Sequence, residues 1–322
     1  MISTVPLARY RLIARLQDDI VLPDYAGSLL RGQFGAALRA VTCMTRQNTC
    51  GGCQLQITCP YIRLFESPAL AVHRLQKFSH IPSAYVVEPP LMVEPTHRSA
   101  GDSLQFGMVL AGHALDQLPL ILFAWQRALA RGLTPARSRS ELCHVDWIDA
   151  QGMAHTVWQS SGSQLADHDS ALSLPAQAPA GMKSVTLQIY TPMRLQHQGS
   201  PLLAANLTPR TLLAALARRI ALVMELHGEQ PHWGQAVPEV VRLADDLHDQ
   251  RELHWHDWHR YSSRQQQEMT LGGVLGRWTL YADTHILAML WPWLWLGQWL
   301  HVGKNASMGM GAYTLTTSES AE

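Results

Sequence analysis

The chain has 322 residues, a length at which two domains are the usual expectation. Its formal net charge is zero and 47% of its residues are hydrophobic. These values exclude a disordered chain and argue against a nucleic-acid binder that depends on bulk positive charge. Only three of the 25 lysines and arginines are lysines. Arginine, unlike lysine, holds phosphate through a planar fork and stacks on bases.

The sequence shows no targeting or membrane signal. Its first residues contain no basic segment followed by an apolar core, so they predict no signal peptide. The most apolar stretch, residues 286–302, is short for a membrane span and is interrupted by Pro292 and Gly297. It predicts a buried helix instead, and we expect a cytoplasmic protein.

Hydrophobic periodicity in the first half predicts six main elements. They are a strand at residues 8–16, a helix at 25–41, extended chain at 80–90, a strand at 104–110, a helix at 117–131 and a hairpin at 141–158. Strand, helix, strand, strand, helix, strand is the order of a ferredoxin-like domain.

The second half repeats this order. A strand at residues 185–189 is followed by a helix that Thr208 caps and Gly228 ends. A looser stretch, two strands, an apolar helix and a final strand then occupy residues 229–250, 252–260, 269–281, 286–300 and 312–316. The predicted fold class is therefore α+β, with two tandem ferredoxin-like domains at residues 1–160 and 183–322. Residues 161–182, rich in Ser, Ala, Asp and Pro, form the predicted linker.

Four of the five cysteines lie close together in the first domain. Cys43, Cys50, Cys53 and Cys59 have the spacing C-x6-C-x2-C-x5-C around a Gly-Gly pair. Thiolates this close repel one another unless a cation neutralises them, and tetrahedral zinc does so. The spacing predicts a structural zinc site in an insertion at residues 43–59. An iron–sulfur cluster and four reduced structural cysteines are the alternatives.

A glycine-punctuated loop, residues 303–311, precedes the last predicted strand. Gly303, Gly309 and Gly311 allow positive φ angles, which can turn successive N–H groups towards one point. Such a nest, with Lys304 beside it, suits a phosphate group. A tight turn into the last strand is the other interpretation.

Six segments carry a family resemblance in the same order along nearly the whole chain. They are L-R-G-Q-F-G-A-A-L-R at residues 30–39, the cysteines with C-P-Y at 59–61, Y-V-V-E-P-P at 85–90, Y-T-P-M-R-L at 190–195, D-W-H-R-Y-S-S-R-Q at 257–265 and H-V-G-K-N-A-S-M-G-M-G-A-Y at 301–313. With these segments the chain resembles the CRISPR-associated RAMP endoribonucleases, which process precursor CRISPR RNA at its repeats. Relatives often have a histidine in or just after the first helix, where this chain has Ala36 and Ala37.

The resemblance implies two ferredoxin-like, RRM-like domains, with the glycine-rich loop as the hallmark of the superfamily. It implies RNA cleavage without a metal cofactor. In that reaction a ribose 2′-OH attacks the adjacent phosphate, leaving a 2′,3′-cyclic phosphate and a 5′-OH. The implied ligands are CRISPR repeat RNA and the retained crRNA. Other proteins of a CRISPR effector complex are the implied partners.

This chemistry needs a group that handles the 2′-OH proton, a cation for the phosphorane charge and a donor for the leaving 5′ oxygen. We assign Lys304 and Arg264 to the phosphate, and a proton transfer to His301 or, failing it, Tyr25. His80 is the reserve candidate. The predicted RNA ligands come from the first helix, the hairpin and the loop: Arg31, Arg39, Arg260, Tyr261, Gly303, Asn305, Gly309 and Gly311.

Three other interpretations are open. His254 and His256 lie on one face of a predicted strand near Asp257, and this group could hold a catalytic metal in a metal-dependent nuclease. A non-cleaving RNA-binding subunit of a CRISPR complex would keep the same two domains. A membrane-attached protein would use the tryptophans of residues 291–299.

Overall fold

The computed structural model describes residues 4–67, 81–91, 96–162, 164–262 and 267–318. The chain divides into two compact units, Pro6–Leu172 and a second unit of Ser173–Glu322 with Met1–Val5. The division falls within the segment that the sequence predicts as a linker. Among the described residues, no helix has the length and apolar character needed to cross a membrane.

The elements up to the division follow the predicted order. They are β1 (Thr4–Val5), β2 (Leu7–Leu16), β3 (Ile20–Leu22), α1 (Gly27–Thr42), α2 (Pro60–Leu64), β4 (Tyr85–Glu88), β5 (Thr96–Arg98), β6 (Ser103–Ala111), α3 (Leu118–Arg131), β7 (Ser140–Ile148), β8 (Ala154–Gln159) and β9 (Leu172–Ser173). The main sheet has the strand order β4-β6-β2-β7-β8 and is antiparallel. Its first four strands have the ferredoxin-like arrangement, and the hairpin arm β8 extends the sheet.

One face of β2 forms the core of the first unit. Tyr10, Leu12 and Ala14 alternate with partly exposed residues and are each 1% exposed, as the period-two pattern predicts. The helices α1 and α3 pack together through Phe34 and Trp125, whose rings stack with centroids 5.1 Å apart. The aromatic pair joins both helices to the core that the buried face of β2 also lines.

The second unit repeats the architecture. Its elements are β10 (Ser184–Met193), β11 (Gln196–His197), β12 (Ser200–Pro201), α4 (Pro209–His227), α5 (His232–Leu243), β13 (His248–Ser262), β14 (Gln267–Tyr281), α6 (Thr284–Leu300) and β15 (Tyr313–Ser318). The sheet order is β13-β14-β10-β15, and β10 pairs antiparallel with both neighbours. The two ferredoxin-like sheets confirm the predicted fold class.

The apolar helix α6 is buried in the core of the second unit. Gly297 lies where α6 meets β15, and an added Cβ there would collide with the Tyr313 hydroxyl. The Tyr313 hydroxyl donates to the Leu294 carbonyl at 2.7 Å. The absence of a side chain at Gly297 thus lets the last strand lie directly against the helix.

The helix α5 lies in the stretch that the sequence predicts as loose, so that prediction is wrong. Gly234 and Pro238 weaken the helical signal within this segment. Trp233, Val237 and Val240 nevertheless form a buried stripe, and the Trp233 ring packs edge-on against Trp293 of α6 at 4.8 Å. Tertiary packing of this stripe outweighs the low propensity of the segment.

Candidate functional site

The glycine-rich loop begins where α6 ends. His301 adopts φ 56° and its N–H bonds to the Gly297 carbonyl at 2.8 Å. The Arg219 guanidinium from α4 donates to the Leu300 carbonyl at 2.6 Å, and burial lowers the pKa of Arg219 to about 10. Four further loop residues have positive φ angles: Gly303, Asn305, Gly309 and Gly311. The left-handed conformations expected at the three glycines are confirmed.

Backbone hydrogen bonds attach this loop to the end of β10. The Lys304 N–H bonds to the Arg194 carbonyl at 2.9 Å, and the Gly311 N–H bonds to the Pro192 carbonyl at 3.0 Å. The Thr191 hydroxyl donates to the Gly309 carbonyl at 2.8 Å and accepts from the Ala312 N–H at 2.8 Å. The loop is therefore held by its own protein contacts.

These bonds correct the prediction of a phosphate-binding nest. The N–H groups of Lys304 and Gly311 bond to the Arg194 and Pro192 carbonyls, so these two groups do not converge on a ligand. The assignment of Gly303, Asn305, Gly309 and Gly311 as RNA ligands stays a prediction. A Cβ at Gly303 would lie 2.6 Å from the Arg194 carbonyl oxygen. The glycines are needed for close approach between the loop and β10, and the tight-turn interpretation describes this backbone better. The Lys304 side chain is exposed and remains available to a ligand.

Arg194 joins this loop to the hairpin of β13 and β14. Its guanidinium donates to the Gly272 carbonyl of β14 at 2.8 Å, while its own carbonyl receives the Lys304 N–H. The sequence analysis assigned no role to Arg194, although it lies in the segment Y-T-P-M-R-L that carries part of the resemblance. Its hydrogen bond to Gly272 joins segments far apart in the chain, so residue spacing could not reveal it.

The predicted proton-transfer residues lie in environments that limit their roles. His301 is 1% exposed, which matches a histidine packed at a helix end. Tyr25 is half-buried just before α1, and burial raises the pKa of its phenol well above the ordinary value. Tyr25 is therefore protonated at neutral pH, and its raised pKa makes it a weaker acid than an ordinary phenol. His80 lies outside the described residues.

The predicted RNA ligands of the hairpin are described only in part. Arg260 and Tyr261 pair with Met269 and Glu268 in the register of β13 and β14. Nothing further is described of their side chains, and Arg264 lies outside the described residues.

The first-helix arginines both contact other parts of the first unit. The Arg31 guanidinium lies over the Phe65 ring at 4.3 Å and near the Tyr85 ring at 5.9 Å. Both distances are those of cation–π contacts. Arg39 donates to the Gln47 and Asn48 carbonyls at 2.5 and 3.0 Å. Their assignment as RNA ligands stays a prediction.

The four clustered cysteines line one cavity of about 140 Å³ but do not form a metal site. Cys43 and Cys53 lie 3.9 and 3.6 Å from the Thr45 hydroxyl, while Cys50 and Cys59 pack against the hydrophobic core. Burial raises the pKa of Cys50, which favours a thiol over a thiolate ligand. In the described part of the chain no three His, Cys, Asp or Glu side chains could hold a metal ion. The zinc prediction is therefore not supported, and no disulfide joins the four cysteines.

The histidine pair of β13 does not form a metal site either. The Trp255 indole N–H donates to Asp257 at 2.8 Å, and the His256 ring packs edge-on against Trp258 at 5.5 Å. Among the described residues of this strand, no three His, Cys, Asp or Glu side chains are placed to hold a metal ion. The geometry gives no support to a metal-dependent nuclease built on His254 and His256.

Arg39 anchors the cysteine segment, and this can be tested directly. We expect Arg39→Ala to speed limited proteolysis within residues 44–58, because two carbonyl contacts that hold this segment to α1 are lost. The expected loss of stability is about 1 kcal/mol. Arg131→Ala, which removes an exposed arginine from the last turn of α3, is the matched control. Equal cleavage patterns in both variants would contradict the anchoring role.

Comparisons with known proteins match each of the two units to a family model. The model AF_1859_N, described as an N-terminal domain, matches residues 5–170. The model CRISPR_Cas6, described as CRISPR-associated endoribonuclease Cas6, matches residues 187–313. The second match includes Arg194, the hairpin and the glycine-rich loop. A search of the curated proteins finds no match.

Solved structures share the fold over nearly the whole chain. A product complex of a Thermus thermophilus Cas6 is 16% identical, with a TM-score of 0.57, and the match covers 96% of this chain and 100% of that one. A second structure of that Cas6 is 16% identical, with a TM-score of 0.54 and coverage of 98% and 100%. A partial Cas6-RT-Cas1–Cas2 complex is 14% identical, with a TM-score of 0.54, covering 97% of this chain and 46% of that one. At these identities the matches show the fold.

Proposed function

Because the chain belongs to the Cas6 family of CRISPR-associated endoribonucleases, we propose that it binds CRISPR repeat RNA and cuts precursor CRISPR RNA within the repeat. The observation that carries this proposal is the exposed Lys304 side chain on a loop held to β10 by its backbone. A fixed cation is what a reaction at phosphorus requires, because negative charge builds up on the phosphate oxygens in the transition state.

The proposed reaction is a transesterification. The 2′ oxygen forms a bond to phosphorus and loses its proton, while the bond between phosphorus and the 5′ oxygen breaks and that oxygen gains a proton. Lys304, with Arg264, stabilises the phosphorane charge.

The two proton transfers are assigned from burial and pKa. Tyr25 carries its phenol proton at neutral pH and is the proposed donor to the leaving 5′ oxygen, although burial makes it a weaker acid than an ordinary phenol. His301 is 1% exposed, so as the acceptor of the 2′-OH proton it requires the loop to move when RNA binds. His80 is the alternative acceptor.

We further propose that the protein keeps the cleaved crRNA and meets other CRISPR proteins. The similar fold found in a Cas6-RT-Cas1–Cas2 complex supports the second of these proposals.

End mapping of labelled repeat RNA tests the reaction. With excess protein and EDTA present, we expect one cut that leaves a 2′,3′-cyclic phosphate and a 5′-OH. A single 2′-deoxy substitution at the nucleotide upstream of the cut should abolish cleavage without weakening binding, because only the nucleophile is removed. A cut that persists in the 2′-deoxy substrate, or that depends on an added metal ion, would contradict the mechanism. Binding without any cut would favour a non-cleaving RNA-binding subunit, which the absence of a histidine from α1 also suggests.

A further inference from the structure

Arg194 occupies a position from which one residue contacts both the glycine-rich loop and the hairpin. Its carbonyl accepts the Lys304 N–H at 2.9 Å, and its guanidinium donates to the Gly272 carbonyl at 2.8 Å. The backbone at Lys304 is thereby fixed to the backbone at Arg194. The cationic side chains of Arg194 and Lys304 therefore extend from two backbone segments that are hydrogen-bonded to each other.

The charge of Arg194 is not balanced by a carboxylate in the part of the chain that the structure describes. Some other arginines of the second unit have such partners, since Arg251 lies 2.9 Å from Asp249 and Arg210 pairs with Asp245 at 2.5 Å. Arg219, like Arg194, donates to a backbone carbonyl instead. The guanidinium of Arg194 is half-buried, and its hydrogen bond to the neutral Gly272 carbonyl uses one of five N–H donors. A partly desolvated cation gains free energy from an anionic partner, and an RNA phosphate can accept two of its remaining donors.

We propose that Arg194 binds a phosphodiester of the RNA backbone beside the phosphate held by Lys304. This inference rests on the proposed function and adds a residue to it. The bond to Gly272 holds the guanidinium in place before RNA arrives, so less side-chain entropy is lost on binding. The ligand is the phosphate itself, so this contact adds affinity without sequence preference.

The competing explanation is that Arg194 has only a structural role, in which its hydrogen bond joins the end of β10 to β14. This structural role requires a hydrogen-bond donor, whereas binding a phosphate requires positive charge. Charge is reported by the salt dependence of binding, because each phosphate contact by a cation releases counterions and steepens the dependence of log K on log salt concentration.

The experiment measures binding of the full-length protein to 2′-deoxy-substituted repeat RNA over a range of salt concentrations. The variants are Arg194→Gln, which keeps a donor and removes the charge, and Arg194→Lys, which keeps the charge. Arg210→Gln, on α4, is the control for the loss of one positive charge. Melting temperatures of all variants report the fold.

We expect Arg194→Gln to weaken binding about tenfold at low salt and to reduce the salt slope by about 0.7 to 0.9. Arg194→Lys should keep the slope and lose less affinity, while Arg210→Gln should match the unmodified protein in both. A slope unchanged in Arg194→Gln would overturn the inference, whether or not its melting temperature falls. If the unmodified protein does not bind repeat RNA, the proposed function itself fails.

Discussion

Lys304→Ala should lower the single-turnover rate of repeat RNA cleavage about 10²- to 10³-fold, the usual effect of removing one group that stabilises transition-state charge. The melting temperature should not change, because the side chain is exposed and the fold uses only the backbone N–H of this residue. The rate is measured with protein in excess over labelled RNA, so that product release does not contribute.

Two variants sharpen this result. Lys304→Arg should retain most of the rate, since it restores a cation at the same backbone position. Lys183→Ala removes another exposed lysine of the second unit, just before β10, and should leave the rate unchanged. A Lys304→Ala protein that cuts as fast as Lys183→Ala would remove Lys304 from the reaction.

Gly311→Ala should destabilise the second unit by about 3 kcal/mol or more, and cleavage should be lost with the loop structure. Two costs add at this position. The residue has φ 73°, which disfavours a side chain, and an added Cβ would collide with the Val302 carbonyl. The Val302 backbone is itself held against the loop, because its N–H donates to the Gly311 carbonyl at 3.1 Å. Urea unfolding measures the loss.

Gly199→Ala is the matched control for Gly311→Ala. Gly199 has φ 85°, but an added Cβ would meet nothing within 4 Å. Gly199→Ala should therefore lower the free energy of unfolding only by the cost of a side chain at positive φ, about 1 to 2 kcal/mol. If both variants unfold at the same urea concentration, steric closeness between the loop and Val302 is not what requires glycine at position 311.

The strand β2 and the helix α6 were predicted from the sequence, whereas the helix α5 was not. The period-two pattern of β2 and the apolar character of α6 predicted buried faces that the structure confirms. The helix α5 was missed, because a glycine and a proline obscure its pattern and packing against α4 and α6 stabilises it. Local patterns predict an element well when its own residues supply the signal.

In the glycine-rich loop, too, features set by residue type were predictable and contacts with distant residues were not. Positive φ at Gly303, Gly309 and Gly311 was predictable from residue type alone. The acceptors of the Lys304 and Gly311 N–H groups were not, because Arg194 and Pro192 lie at the end of β10, more than a hundred residues earlier in the chain. For the same reason the sequence pointed to a phosphate nest where the structure has backbone bonds between the loop and a strand.

Contacts between residues distant in the chain also decided the surroundings of the cysteines and of Arg194. Four thiols within 17 residues predicted zinc, yet two approach a threonine hydroxyl and two pack on the core. The sequence by itself determined the duplicated order of elements, the left-handed loop positions and the family resemblance, since these depend on residue type and spacing. Only the tertiary structure decided which cations lack a carboxylate among the described residues and which groups meet, because hydrogen bonds and packing join residues that are distant in the chain.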